Sequence, residues 1–100
     1  MGQFTVRLRK KALDDVSRIR SWYRTIGPSL EVRFLQSLNR GLDRIEVHLL
    51  ACQAIYRNTR RVLLARFPYS IFYLVVETKV TVLAVVHHKR NPDLAQGISE

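Results

Sequence analysis

Cysteine is nearly absent. The 100-residue chain carries only Cys52, so no internal disulfide can form. The opening MGQFTVRLRKK has no apolar leader, and together with the single thiol it suits a reducing compartment, so a cytoplasmic protein is expected. Long hydrophobic runs are missing too. The longest, Ile71–Val76 and Val82–Val86, fall far short of the roughly 20 residues that a membrane helix needs, and no membrane association is expected. The four glycines are isolated, which excludes a phosphate-cradling loop. No serine sits in a glycine-flanked elbow and Cys52 has no evident activating partner, so nucleophilic catalysis has no carrier.

Acid is scarce. Eight Asp and Glu stand against 17 Lys and Arg, for a net charge of +9. Between Glu46 and Glu77 there is no acid, while Arg57, Arg60, Arg61 and Arg66 all fall inside that gap. A second cluster, Arg7, Arg9, Lys10 and Lys11, lies beside Asp14 and Asp15. Such a balance points to an acidic partner: nucleic acid, a ribonucleoprotein, an anionic surface or an acidic protein. It also fits plain solvated faces that keep a small protein in solution. What remains is a globular composition, 47% hydrophobic and 25% charged, of a length that makes one domain over residues 1–100.

Phe4, Val6 and Leu8 alternate with Thr5 and Arg7, a period of two that predicts a strand with one buried face. From Ala12 the period lengthens. Ala12, Val16, Ile19, Trp22 or Tyr23, and Ile26 mark one face of a helix, which Gly27 and Pro28 stop. Pro28 then opens a second helix with the stripe Leu30, Phe34, Leu38, Leu42, Ile45 and Leu49. The short connection makes the pair an antiparallel hairpin. Beyond residue 50 the helical period disappears. AIYRN is a possible short strand, and three antiparallel strands follow at about 61–67, 70–76 and 80–87, with Pro68 breaking the run between the first two. The stretch 91–100 reads as a loop or frayed tail. The expected fold is α+β: an N-terminal strand and a helical hairpin packed on a twisted antiparallel sheet, in the order β-α-α-β-β-β.

Both faces of these strands are apolar. Ile71, Tyr73 and Val75 alternate with Phe72, Leu74 and Val76, and Val80, Val82, Ala84 and Val86 alternate with Leu83 and Val85. The hairpin can cover one face only. The tail offers Leu94, Ala95 and Ile98 as thin cover for the other, so a partner or a second copy is expected there, with self-association of the isolated chain.

A metal site is not expected. His87 and His88 are neighbours on a strand and point to opposite faces, while His48 and Cys52 have no ligand-spaced partner. No cofactor is implied either. RNA cleavage is the enzymatic option that survives, because it needs only an acid, a base and cations on the phosphate. Arg57, Arg60, Arg61, Arg66 and Arg90, with Tyr56, Tyr69, Tyr73 and His87 or His88, can supply these if they converge on one face. Taken singly, Tyr73 reads as a core tyrosine and Arg66 as an edge residue with its stem on apolar surface.

Three stretches in this order and spacing, ALDDVSRIRSWY, RRVLLARFPYSIFY and VLAVVHHKRNP, resemble the RelE/ParE family, the toxins of bacterial type II toxin–antitoxin modules. The resemblance runs from Phe4 to about Pro92. It is carried most by Arg66-Phe67-Pro68-Tyr69 with Tyr73, and by Ala84-Val85 with His87, Arg90 and Pro92. It implies growth inhibition, as in plasmid stabilization, and silencing by a cognate acidic antitoxin in a hetero-oligomer, with operator DNA met only through that antitoxin. Two targets follow from the two branches. The ParE-like branch, which RFPYSIFY and AVVHHKRNP resemble more closely, implies inhibition of DNA gyrase. The RelE-like branch implies ribosome-dependent mRNA cleavage, with Arg60, Arg61, Tyr73, His87 and Arg90 as the candidate catalytic residues. Only Lys79 and Lys89 follow residue 11, so that branch's lysine-rich centre is not evident. In either case Arg57, Arg60, Arg61, Arg66, Lys89 and Arg90 are the candidate target-binding residues. A non-toxic member that only binds its antitoxin is the third reading.

Overall fold

The computed structural model describes residues 5–47, 54–56 and 59–88. Cys52, His48, Leu49, Arg57, Lys89, Arg90 and the 91–100 tail lie outside the described residues. The chain runs β1 (Thr5–Leu8), α1 (Lys10–Ile26), α2 (Pro28–Val47), β2 (Ala54–Tyr56), β3 (Thr59–Leu63), β4 (Tyr69–Val76) and β5 (Lys79–His87). The strands form one sheet in the order β1-β5-β4-β3-β2. The possible short strand at AIYRN is thus real, as β2. Pairing is antiparallel except for β1, which runs parallel to β5 with Thr5 opposite Lys79 and Leu8 opposite Val82. That departure from a wholly antiparallel sheet has a simple cause. The helical hairpin and strands β2 to β4 all lie between β1 and β5 in the chain, which supplies the long crossover that parallel neighbours require.

Gly27 is the whole connection between the helices. Its N–H donates to the Tyr23 carbonyl at 2.9 Å, and Pro28 starts α2 where no intrahelical donor is needed. On α1 the buried line is Ala12, Asp15 and Ile19, continued by half-buried Val16 and Tyr23. Of the two aromatics left open by the sequence, Tyr23 faces the core, whereas Trp22 is 50% exposed and Ile26 lies outside as well. On α2 the buried positions are Phe34, Ser37, Leu38, Gly41 and Ile45. Leu30 and Leu42 are only half-buried, so the stripe lies slightly to one side of the apolar one expected. Small residues explain the offset. A Cβ at Gly41 would stand 2.9 Å from both Ile71 Cδ1 and Leu64 Cδ2, so glycine lets the helix approach the sheet closely. Between the helices Glu31 is clamped by Arg20 at 3.1 Å and by both ends of the Arg24 guanidinium at 2.9 and 2.6 Å.

The strand 61–67 expected from the pattern ends early, at Leu63. Leu64 N–H donates to the Tyr69 carbonyl and Tyr69 N–H to the Phe67 carbonyl, which closes a tight turn. Arg66 in that turn has φ 70°, in the left-handed region. Phe67 packs on Tyr23 and Phe34, ring centroids 5.2 and 5.6 Å away, and those two rings in turn meet Tyr69 at 6.4 and 5.9 Å.

The alternation expected along β5 fails at one point. Phe72 stands opposite Ala84 but Tyr73 stands opposite Val82, so Leu83 is an extra residue, a β-bulge. One inserted residue exchanges the two faces beyond it. Val80, Val82 and Val85 therefore join the helix-side core with Ile71 and Tyr73, and Ala84 and Val86 pack with Phe72 on the other side. That second face is not bare at its centre. Phe72 is 0%, Val86 3% and Ala84 4% exposed in the single chain, which corrects the expectation that a partner must cover it. Among the described residues of that face, Leu63 and Val76 at its margin are about half exposed.

The bulge leaves Val85 N–H without a strand partner, since β1 has already ended at Leu8. Asp15 of α1 supplies one: its Oδ2 accepts from Val85 N–H at 3.0 Å. Lys11 and Arg18 hold the same carboxylate at 2.9 and 3.0 Å. Lys10 pairs with Asp14 in turn. Both lysines of the N-terminal basic cluster are thereby neutralised locally. Among the described residues no helix is long and apolar enough to cross a membrane.

Candidate functional site

A strand places successive side chains on opposite faces, and this decides where the candidates go. Arg60 pairs with Tyr73 and so lies on the helix-covered face, whereas Arg61 pairs with Phe72 and lies on the other. Tyr73 is 0% exposed inside the core. His87 stands opposite Tyr69, its ring edge-on at 5.0 Å, four positions along β4 from Tyr73. At about 3.3 Å per strand residue, that separates His87 from the Arg60–Tyr73 pair by about 13 Å. His88 turns to the opposite face and shares a 2.7 Å hydrogen bond with Ser70, itself fully buried.

The structure therefore spreads the backbone positions of Arg60, Arg61, Tyr73 and His87 over both faces of the sheet and along it. Arg60 and Tyr73 sit beneath the helices, Arg61 sits across the sheet, and His87 sits at the far end. Tyr69 is likewise core, 4% exposed. Arg57, Lys89 and Arg90 fall outside the described residues. Arg66 is exposed in the β3–β4 turn, at the end of the sheet where His88 N–H donates to the Pro68 carbonyl. Among the described residues no group of His, Cys, Asp and Glu is placed to hold a metal ion.

Arg66 does have neighbours, but not those expected. It lines a cleft of about 340 Å³ together with Arg33, Gln36 and Arg40 of α2, with Leu30 and Phe67 as the apolar wall. The two α2 arginines lie off the apolar stripe that marks the helix in the sequence. Their signal was available: Arg33, Arg40 and Arg44 recur at spacings of seven and four, which returns them to neighbouring positions on one helix flank. What the sequence could not show is that the RFP turn folds back against that flank. It is fastened there by the Ser37 hydroxyl, which donates to the Ala65 carbonyl at 2.7 Å, and by Arg44, which donates to the Leu63 carbonyl at 2.6 Å.

Comparison with known proteins bears on this arrangement. A family model described as "ParE toxin of type II toxin-antitoxin system, parDE" matches residues 6–92. Among solved structures, the chain is similar to one from P. aeruginosa, described as "Chromosomal ParDE TA system". The TM-score is 0.69 at 20% identity, over 87% of this chain and 98% of that one. At that identity the likeness speaks for the fold. No curated protein sequence matches.

Proposed function

Because the chain belongs to the ParE toxin family of type II toxin–antitoxin systems, we propose that it arrests growth in the cytoplasm by binding DNA gyrase, and that an acidic antitoxin keeps it silent. The observation that carries binding over cleavage is the dispersal of the candidate nuclease groups. Acid–base strand scission needs a base, an acid and a cation within hydrogen-bond reach of one phosphate. The described members of that set have backbone positions on two faces of a sheet, spread over about 13 Å along it. A protein inhibitor needs no such convergence. The net charge of +9 favours an acidic regulator, and half-exposed Trp22 and Ile26, one turn apart on α1, give an apolar contact to cover.

Two reactions test the reading. With purified gyrase and supercoiled plasmid, the chain produces gyrase-dependent DNA breaks or loss of supercoiling, and added antitoxin from the adjoining reading frame prevents it. In a purified translation reaction the message stays intact. Cleavage of ribosome-bound message, lost in Arg61→Ala or His87→Ala, refutes it and supports the ribonuclease reading. Normal growth of a bacterium expressing the chain alone refutes toxicity of either kind.

A further inference from the structure

Several of the described cations are already employed. Lys10, Lys11, Arg18, Arg20 and Arg24 hold carboxylates, and Arg44 holds a carbonyl. Arg33, Arg40 and Arg66 differ. Among the described residues none of the three makes a side-chain hydrogen bond or an ion pair, and no acid lines the cleft they share. Three like charges around one concavity repel, an arrangement that an anion relieves.

The cleft is also built rather than incidental. Arg66 is held at φ 70°, where a side chain with a Cβ is disfavoured and glycine is the usual occupant. It cannot relax, because the turn is pinned on both sides by the Ser37–Ala65 and Leu64–Tyr69 hydrogen bonds. Arg66 from the turn and Arg33 and Arg40 from α2 thus line the same cleft. Non-glycine residues in such strained positions cluster at ligand clamps.

Size and donor count then select the ligand. A volume of about 340 Å³ lies in the range of small-molecule sites. One carboxylate has two oxygens and saturates a single guanidinium fork, which leaves two arginines over. A diphosphate or triphosphate has the charge and the acceptor oxygens for all three. Leu30 and Phe67 offer an apolar wall for an attached organic group. We propose that this cleft binds a phosphorylated small molecule of the nucleoside di- or triphosphate type, with its phosphates on Arg33, Arg40 and Arg66. The site is separate from gyrase inhibition and does not depend on it.

Calorimetric titration of the full chain with pyrophosphate, ADP and a short single-stranded oligonucleotide separates the sources of phosphate. The expected result is one site per chain, with pyrophosphate and ADP competing and ADP the tighter. Arg33→Gln with Arg40→Gln should weaken both by at least about tenfold, with an unchanged melting temperature of the free protein, since both residues are solvent-facing. Arg66→Gly, which removes one cation and relieves the backbone, should weaken binding while holding or raising the melting temperature. The proposal is overturned if neither pyrophosphate nor ADP binds, or if binding survives all three substitutions. It is equally overturned if the oligonucleotide or an acidic peptide occupies the cleft more tightly than ADP, which would make the site a macromolecular contact.

Discussion

Replacing Asp15 tests the joint between helices and sheet most directly. Its side chain is 1% exposed and accepts from Val85 N–H, itself in a residue 2% exposed. In Asp15→Ala that N–H loses its acceptor, and β1 ends too soon to replace it. An orphaned buried donor costs about 1–3 kcal/mol, at the upper end where the lost partner was charged. The ion pairs add less. Lys11 and Arg18 are 55% and 68% exposed, and such water-screened pairs contribute under about 1 kcal/mol each. A loss of about 3 kcal/mol is expected, which for a domain of this length lowers the melting temperature by about 12 °C or more. Asp15→Asn keeps the shape and one carbonyl acceptor but gives up the charge, and should lose about 1–2 kcal/mol. Urea unfolding measures the order wild type, Asn, Ala. Hydrogen exchange adds a local readout, in which the Val85 amide loses protection beyond the global change in the Ala variant. An Ala variant within about 0.5 kcal/mol of wild type, or an Asn variant as damaged as Ala, would refute the reasoning.

Three further perturbations follow from the same structure. The hydrogen bonds from Arg24, and then those from Arg20, hold the Glu31 carboxyl down at about 2, against burial that pushes it up. A depressed folded value means the stabilisation is complete above the unfolded value of 4.5 and is lost as pH falls through about 2. The advantage of wild type over Glu31→Gln in denaturant should therefore shrink across that window, and an advantage constant with pH would contradict the clamp. Gly41→Ala gains about 1 kcal/mol of helix propensity but forces a methyl to 2.9 Å from Ile71 and Leu64, an overpacking of about 1–3 kcal/mol, so a net loss is expected and a larger one for Gly41→Val. A full propensity gain in the alanine variant would show that the helix can lift away from the sheet. Glu77 turns the β4–β5 hairpin at φ 56°, so Glu77→Gly should stabilise by up to about 1 kcal/mol, and a clear loss in thermal unfolding would show that its side chain is needed.

Element order and type were legible along the chain because they rest on local rules. A period of two marked β1, a period near 3.6 marked both helices, and Gly27-Pro28 marked the break between them. Proline 68 announced a turn, although the strand before it ends at Leu63, because the hydrogen bonds that close the turn begin at Leu64. The family could be recognised for the same reason, since its motifs are short and contiguous. The faces of β5 were not legible. Which side Val85 or Ala84 takes depends on a single extra residue, Leu83, and a bulge is a property of two paired strands. Asp15 was hidden similarly, as its partner is 70 residues away. Candidate chemistry suffered most. Arg60, Arg61, Tyr73 and His87 look like one set in a list of reactive residues, yet strand alternation sends Arg60 and Arg61 to opposite faces and packing encloses Tyr73. The sequence alone determined the composition, the periodicities and the motifs, since each is carried by neighbours along the chain. Only the tertiary structure could disperse that set and gather Arg33, Arg40 and Arg66 around one cleft, because a site is made by distances through space, which the folded sheet and hairpin create.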